Sequence, residues 1–177
     1  VILIALDPGL DATGYAVFDV PKMPPHHPGN YRNALLASGT IRSAIEVELS
    51  RRLHQLHTGL LALHQQHGAD RIVVEVPTIS GMYARQRAKA KDAGSFGADA
   101  MTAMHHATGA LLLTGQIMEI PTDTRRAAKV DKAAKTAWVV NLWPELGDRK
   151  SNQDQRDAIY LGATALRDYA TDARRAA

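Results

Sequence analysis

The chain opens on an unbroken apolar run, Val1–Leu6 (VILIAL), rich in β-branched residues and stopped by Asp7-Pro8-Gly9. A short run that is apolar on both sides of the backbone suits a strand covered on both faces, not one with a wet face. Gly14–Val20 (GYAVFDV) follows a short turn and alternates, so the two runs predict a hairpin and an antiparallel pair. A second β-branched run, Arg71–Val76 (RIVVEV), again carries an acid near its end. Two strands of central character need cover on both sides. That requirement directs the chain to an α/β fold, with helices packed on the faces of a sheet.

The remaining segments fit this frame. Leu35–Ile41 predicts a third strand. Leu49, Leu53, Leu56, Leu60 and Leu63 recur at spacings of four and three, which predicts one apolar helical face over Glu46–His67, ended by Gly68. Further helices are expected over Gly97–Thr114, over Lys129–Leu142 before Trp143-Pro144, and over Asp154–Tyr169 with Ser151 as cap. A short strand is expected at Ile117–Ile120. Pro21–Asn30 holds four of the eight prolines and reads as an exposed loop; Pro77–Phe96 reads as irregular. Three strands, a helix, a strand, a helix, a strand and then helices imply a mixed sheet. No repeat or linker interrupts the 177 residues, so a single domain over 1–177 is expected.

Composition removes several function classes. There is no cysteine, hence no disulfide framework, thiolate zinc site or thiol nucleophile. The apolar opening is far short of a membrane span and no leader pattern precedes it, so a soluble, cytoplasmic protein without membrane partners is expected. Lys and Arg exceed Asp and Glu only by 21 to 18, but the cations are clustered. Arg85, Arg87, Lys89 and Lys91 crowd one stretch; Arg125, Arg126, Lys129, Lys132 and Lys135 crowd another. Such patches suit a polyanion, and a solvated helix face is the plain alternative.

The acids carry the chemistry. Acids are seldom buried unless paired or bound to metal. Asp7 and Glu75 close two apolar strands, and on neighbouring parallel strands they would emerge at one sheet edge. Asp154 and Asp157 lie three apart on the last predicted helix and share a face. Each has an ordinary reading as well: turn or cap residues for Asp7, Glu75 and Asp154. If all four converge, their repulsion requires protons or cations. An all-oxygen donor set points to Mg²⁺ or Mn²⁺, and two such ions about 3.5–4 Å apart can bridge a phosphodiester. The paired histidines His54/His57 and His64/His67 border the leucine stripe, which favours a solvent-edge position over a metal site. Trp138 and Trp143 suit core packing better than base stacking.

Asp7-Pro8-Gly9 followed by Thr13-Gly14-Tyr15-Ala16-Val17, the Ile72-Val73-Val74-Glu75 strand, and Asp154-Gln155-Arg156-Asp157-Ala158 on the last helix together resemble RuvC-type Holliday junction resolvases. The resemblance implies an RNase H-like α/β fold: a five-stranded mixed sheet, order 3-2-1-4-5, flanked by helices. It implies a homodimeric endonuclease that cuts four-way DNA junctions, with Asp7, Glu75, Asp154 and Asp157 holding two Mg²⁺ or Mn²⁺ ions per site. It gives Lys132 a role in steadying the scissile phosphate. DNA contacts fall to Arg85, Arg87, Lys89, Lys91, Arg125, Arg126, Lys129 and Lys135, with Tyr83 as candidate junction wedge. The helix over Gly97–Thr114, with Met101, Met104 and Gly109-Ala110-Leu111, resembles the family's dimer helix. Branch-migration or packaging machinery would be a further partner. Three other readings stay open: a nuclease for flaps or forks, a non-catalytic junction-binding protein, and an ATPase of the kind that shares the Asp-Pro-Gly opening.

Overall fold

A computed structural model describes residues 1–20, 28–44, 47–76, 98–126, 130–147 and 153–176. The order is β1 (Ile2–Asp7), β2 (Ala12–Asp19), α1 (Pro28–Ala34), β3 (Leu35–Arg42), α2 (Leu49–His67), β4 (Arg71–Val76), α3 (Ala98–Ile117), β5 (Thr122–Arg126), α4 (Lys132–Leu142), a 3₁₀ turn (Pro144–Leu146) and α5 (Gln153–Ala176). The five strands form one sheet in the order β3-β2-β1-β4-β5. β1 pairs antiparallel with β2 and parallel with β4; β2 pairs antiparallel with β3, and β4 parallel with β5. The mixed sheet and its strand order are those expected.

Strand side chains alternate between the two faces of the sheet. Leu3 and Ala5 of β1, Ala16 and Phe18 of β2 and Val73 of β4 pack against Val139 and Trp143 at α4 and against Ala158, Ile159 and Leu166 of α5. Ile4, Leu6, Val17, Ile72 and Val74 point the other way, onto Leu56, Leu60 and Leu63 of α2 and Ala107 and Leu111 of α3. Nearly all these side chains are fully buried, and each large one contributes about 1.5–3 kcal/mol of transfer free energy. The leucine stripe of α2 turns inward from Leu53, while Leu49 at the helix start is 40% exposed. Gly68 ends α2 in the left-handed conformation (φ 67°), its N–H donating to the His64 carbonyl at 2.7 Å. Both tryptophans join the core: Trp143 is buried, and Trp138 meets Tyr31, Trp143 and Tyr160 edge to face. No helix among the described residues is long and apolar enough to cross a membrane.

The expected strand at Ile117–Ile120 is instead the end of α3. The Ile120 N–H donates to the Gly115 carbonyl and the Glu119 N–H to that of Gln116, with Glu119 at φ 56°. This is a Schellman cap, formed here without glycine at the left-handed position. The fifth strand lies beyond it, in the polar sequence TDTRR. An edge strand buries little, so it has no apolar run to announce it. Pro28–Asn30, read as loop, begins α1, since a helix tolerates proline in its first turn. α5 extends past the expected Tyr169 to Ala176.

Candidate active site

Alternation positions the acids. Asp7 stands two residues beyond Ala5, and Glu75 two beyond Val73, so both point to the α5 face of the sheet. Leu6 pairs with Val74, which brings Asp7 and Glu75 alongside one another at the ends of the central parallel strands. The turn after Asp7 is held by Thr13, whose buried hydroxyl donates to the Gly9 carbonyl at 2.8 Å. It also accepts from the Gly9 N–H at 3.3 Å.

Gly14 brings in the last helix. It is the β2 partner of Asp7, and the α5 backbone lies directly on it. A Cβ built on Gly14 would overlap the Asp154 carbonyl and stand 2.9 Å from the Gln155 nitrogen. The absent side chain therefore lets the first turn of α5 sit over the strand ends that carry Asp7 and Glu75. The Gln155 amide donates to Ser38 Oγ at 2.9 Å and fastens this turn to β3.

The acids consequently share one electrostatic site. Burial, followed by Glu75, Asp157 and Asp154, pushes the Asp7 carboxyl well above the ordinary carboxylate range, and Lys135 pulls the other way. Burial and then Asp157 push Asp154 up, opposed by Lys132 and Arg42. Asp157 accepts a hydrogen bond from Gln153 Nε2 at 2.8 Å and lies 3.9 Å from Lys135 Nζ. The donor set is all carboxylate oxygen, which suits a hard divalent cation such as Mg²⁺ or Mn²⁺. Among the described residues, no three acids or histidines already stand close enough to enclose an ion. The carboxylates converge without forming a closed cage.

The described basic residues of the second cluster occupy different positions. Lys135 sits inside the acidic site, against Asp157 and 5.7 Å from the centre of the Tyr160 ring. Lys132 is exposed in the first turn of α4, capped by Asp131, and its charge acts on Asp154. Arg125 is engaged within the protein, bonded to Asp168 and lying 5.6 Å over Tyr169. Arg126 is exposed and borders a cleft of about 600 Å³ that also touches Glu75, Lys135, Tyr160 and Thr164. Tyr83, Arg85, Arg87, Lys89, Lys91, Lys129 and Ser151 lie outside the described residues.

Sequence reasoning missed Arg42, Gln153 and Arg156. Arg42 ends β3 two residues beyond Thr40, the partner of Gly14; only strand register brings it to Asp154. Two acids outside the site have structural partners: Asp11 pairs with Arg52, and Asp123 accepts from the Tyr169 hydroxyl and lies 3.7 Å from Arg71. His57 Nδ1 is 2.9 Å from the Thr114 hydroxyl and joins α2 to α3.

No family model matches the chain. It is 37% identical over 73 residues to the crossover junction endodeoxyribonuclease RuvC of Bartonella bacilliformis. It is 38% identical over 75 residues to the protein of that name from Rhizobium etli. The match takes in 41% of this chain and spans only about two fifths of those relatives, 39% and 38%. Among solved structures, Thermus thermophilus RuvC in complex with a Holliday junction substrate superposes with a TM-score of 0.65 at 17% identity. That superposition covers 96% of this chain and 95% of that one. A further T. thermophilus RuvC structure gives 0.66 at 14% identity, covering 97% of each chain. Strand order, the two-faced core and these superpositions agree: the chain has the RuvC-type form of the RNase H-like fold.

Proposed function

We propose that the protein is a divalent-metal-dependent endonuclease that resolves four-way DNA junctions by symmetric phosphodiester hydrolysis. One observation carries this reading: Asp7 and Glu75 end adjacent parallel strands, and the first turn of α5, with Asp154, lies on Gly14, the strand partner of Asp7. Acids from three separate elements converge on one sheet edge, where isolated turn or cap residues would have pointed apart. The relatives matched over part of their length are named crossover junction endodeoxyribonucleases, and one structural neighbour is bound to a Holliday junction.

In this reading Asp7, Glu75, Asp154 and Asp157 hold two Mg²⁺ or Mn²⁺ ions. Such ions, when bound, lower the pKa of an attacking water and stabilise the oxygen that leaves phosphorus. The chain's own residues prepare the site. Burial and the neighbouring acids raise the proton affinity of Asp7 and Asp154, and a bound cation would offset that effect. Lys135 places its ammonium 3.9 Å from an Asp157 oxygen, a fixed cation inside the site. Lys132 and Arg42, exposed beside Asp154, offer cations to the phosphates flanking the cut. Water oxygen joins phosphorus as the bond to the 3′ oxygen breaks, leaving a 5′-phosphate and a 3′-hydroxyl.

A four-way junction has two-fold symmetry, so a C2 dimer would offer one site to each of two opposed strands. α3 supports this: Leu113 and Ile117 are 56% and 64% exposed, on a helix whose Ala107 and Leu111 face the core. The test is a synthetic four-way junction with Mg²⁺. The wild-type protein should make paired, symmetric nicks, and Asp7→Asn should bind the junction without cutting it. Cutting by Asp7→Asn at the wild-type rate, or an intact junction with the wild-type protein and either Mg²⁺ or Mn²⁺, would overturn the proposal.

A further inference from the structure

Arg156 lies in α5 between Asp154 and Asp157 and is 2% exposed. A guanidinium withdrawn from water must find acceptors for its fork. Its Nη1 donates to the Gly147 carbonyl at 2.7 Å, where the chain leaves the 3₁₀ turn after α4. Its Nη2 donates to Gln153 Oε1 at 3.1 Å. A guanidinium can only donate, so Gln153 must turn its oxygen toward Arg156. The two ends of that amide are otherwise nearly interchangeable; here the neighbour decides. The NH₂ group is thereby aimed the opposite way, and it donates to Asp157 Oδ2 at 2.8 Å. The other carboxylate oxygen, Oδ1, faces Lys135 Nζ at 3.9 Å. Spacings of three and four residues let all three side chains meet across one helical turn.

We propose that Arg156 and Gln153 are positioning residues for Asp157. The buried guanidinium fixes the amide, and the amide fixes the carboxylate rotamer, so that its remaining lone pairs would be available to a bound divalent cation. The inference rests on the reading of Asp157 as a metal ligand, and concerns how this chain holds that ligand in place. Neither residue touches the reacting atoms. Outer partners of this kind typically change metal affinity or activity by about 10–100-fold.

The test uses the full chain and two readouts: Mn²⁺ binding without DNA, followed by electron paramagnetic resonance, and the Mg²⁺ concentration that half-saturates junction cutting. Gln153→Met keeps the side-chain length and removes the donor. It should weaken Mn²⁺ binding roughly tenfold or more and raise the Mg²⁺ requirement in parallel, with little change in junction affinity measured in Ca²⁺; Tm should fall as well, because Arg156 Nη2 loses its Gln153 acceptor. Arg156→Met should give a similar loss, and the double variant should lose no more than either single one, because the two residues act in series. Arg156→Lys keeps the charge without the fork and should remain impaired. If Arg156→Met does not fold, Gln153→Met decides alone. Wild-type Mn²⁺ affinity in Gln153→Met, or losses that simply add in the double variant, would overturn the inference. If the wild-type protein binds no Mn²⁺ at all, the carboxylate site itself is misassigned and this inference falls with it.

Discussion

Replacing Gly14 by alanine puts a methyl group where the backbone of α5 now lies. The added carbon would stand 1.9 Å from the Asp154 carbonyl oxygen and 2.3 Å from its carbon. Ordinary van der Waals separations begin at 3.4 Å, so strand and helix must part by roughly 1.5 Å. Neither side yields easily. The obstructing atoms are main chain, and β2 is tied into the sheet on both sides, to β1 and β3. Overpacking of this sort costs about 1–3 kcal/mol, and a protein of this size loses roughly 2–4 °C in Tm for each kcal/mol. The catalytic loss should be larger than the stability loss suggests. Asp154 and Asp157 ride on the displaced turn while Asp7 and Glu75 stay on the strands, and misplacement by about 1 Å costs on the order of a hundredfold in rate. The assay is single-turnover cutting of a four-way junction at saturating Mg²⁺, beside thermal melting and junction binding in Ca²⁺. The expected result is a cutting rate down by about two orders of magnitude, a Tm lower by several degrees and near-normal binding. A Gly14→Ala protein that melts early yet cuts at the wild-type rate would refute the argument, since Gly14 would then serve packing alone.

Other expectations follow from the same site. Asp7 and Asp154 have raised pKa values in the folded state, so between the ordinary carboxylate value and the raised ones the folded form binds more protons than the unfolded form. Metal-free stability should therefore fall as pH rises through that window, and be regained on acidification. Asp7→Asn should melt above the wild-type protein at neutral pH without metal, and the difference should vanish near the ordinary carboxylate range. Added Mg²⁺ or Mn²⁺ should raise the wild-type Tm by linkage and the Asp7→Asn Tm by less; equal metal-induced shifts would count against Asp7 as a ligand. Leu113→Glu with Ile117→Glu should turn a dimer into monomers by sedimentation velocity and replace paired nicks with single ones; an unchanged sedimentation coefficient would locate the interface elsewhere. Neutralising Arg85, Arg87, Lys89 and Lys91 together should flatten the salt dependence of DNA binding by about 0.9 for each phosphate that no longer meets a cation, and an unchanged slope would show that these cations only face solvent.

Much of this molecule is legible locally. Alternation along a strand is a property of the backbone, so VILIAL and RIVVEV announce central strands, and the acids two residues past Ala5 and Val73 inherit their face. Helical spacing likewise pairs Asp154 with Asp157 and aligns the leucines of α2. β5 was not legible, because TDTRR is an edge strand with little to bury and its identity lies in pairing with β4. The apolar stub before it imitated a strand while acting as a helix cap.

The division between the two kinds of information falls at the site itself. By itself the sequence determined which residues are acids at strand ends and which share a helical face, since those relations span a few residues and follow from covalent geometry. Only the tertiary structure decided that α5 rests on Gly14, that Arg42 and Lys132 flank Asp154, that Lys135 lies against Asp157, and that Arg125 turns inward to Asp168. These are outcomes of sheet register and helix docking. They join residues on separate elements, from neighbouring helices to the two ends of the chain, through the packing of two complementary cores, and no local pattern encodes which surfaces meet.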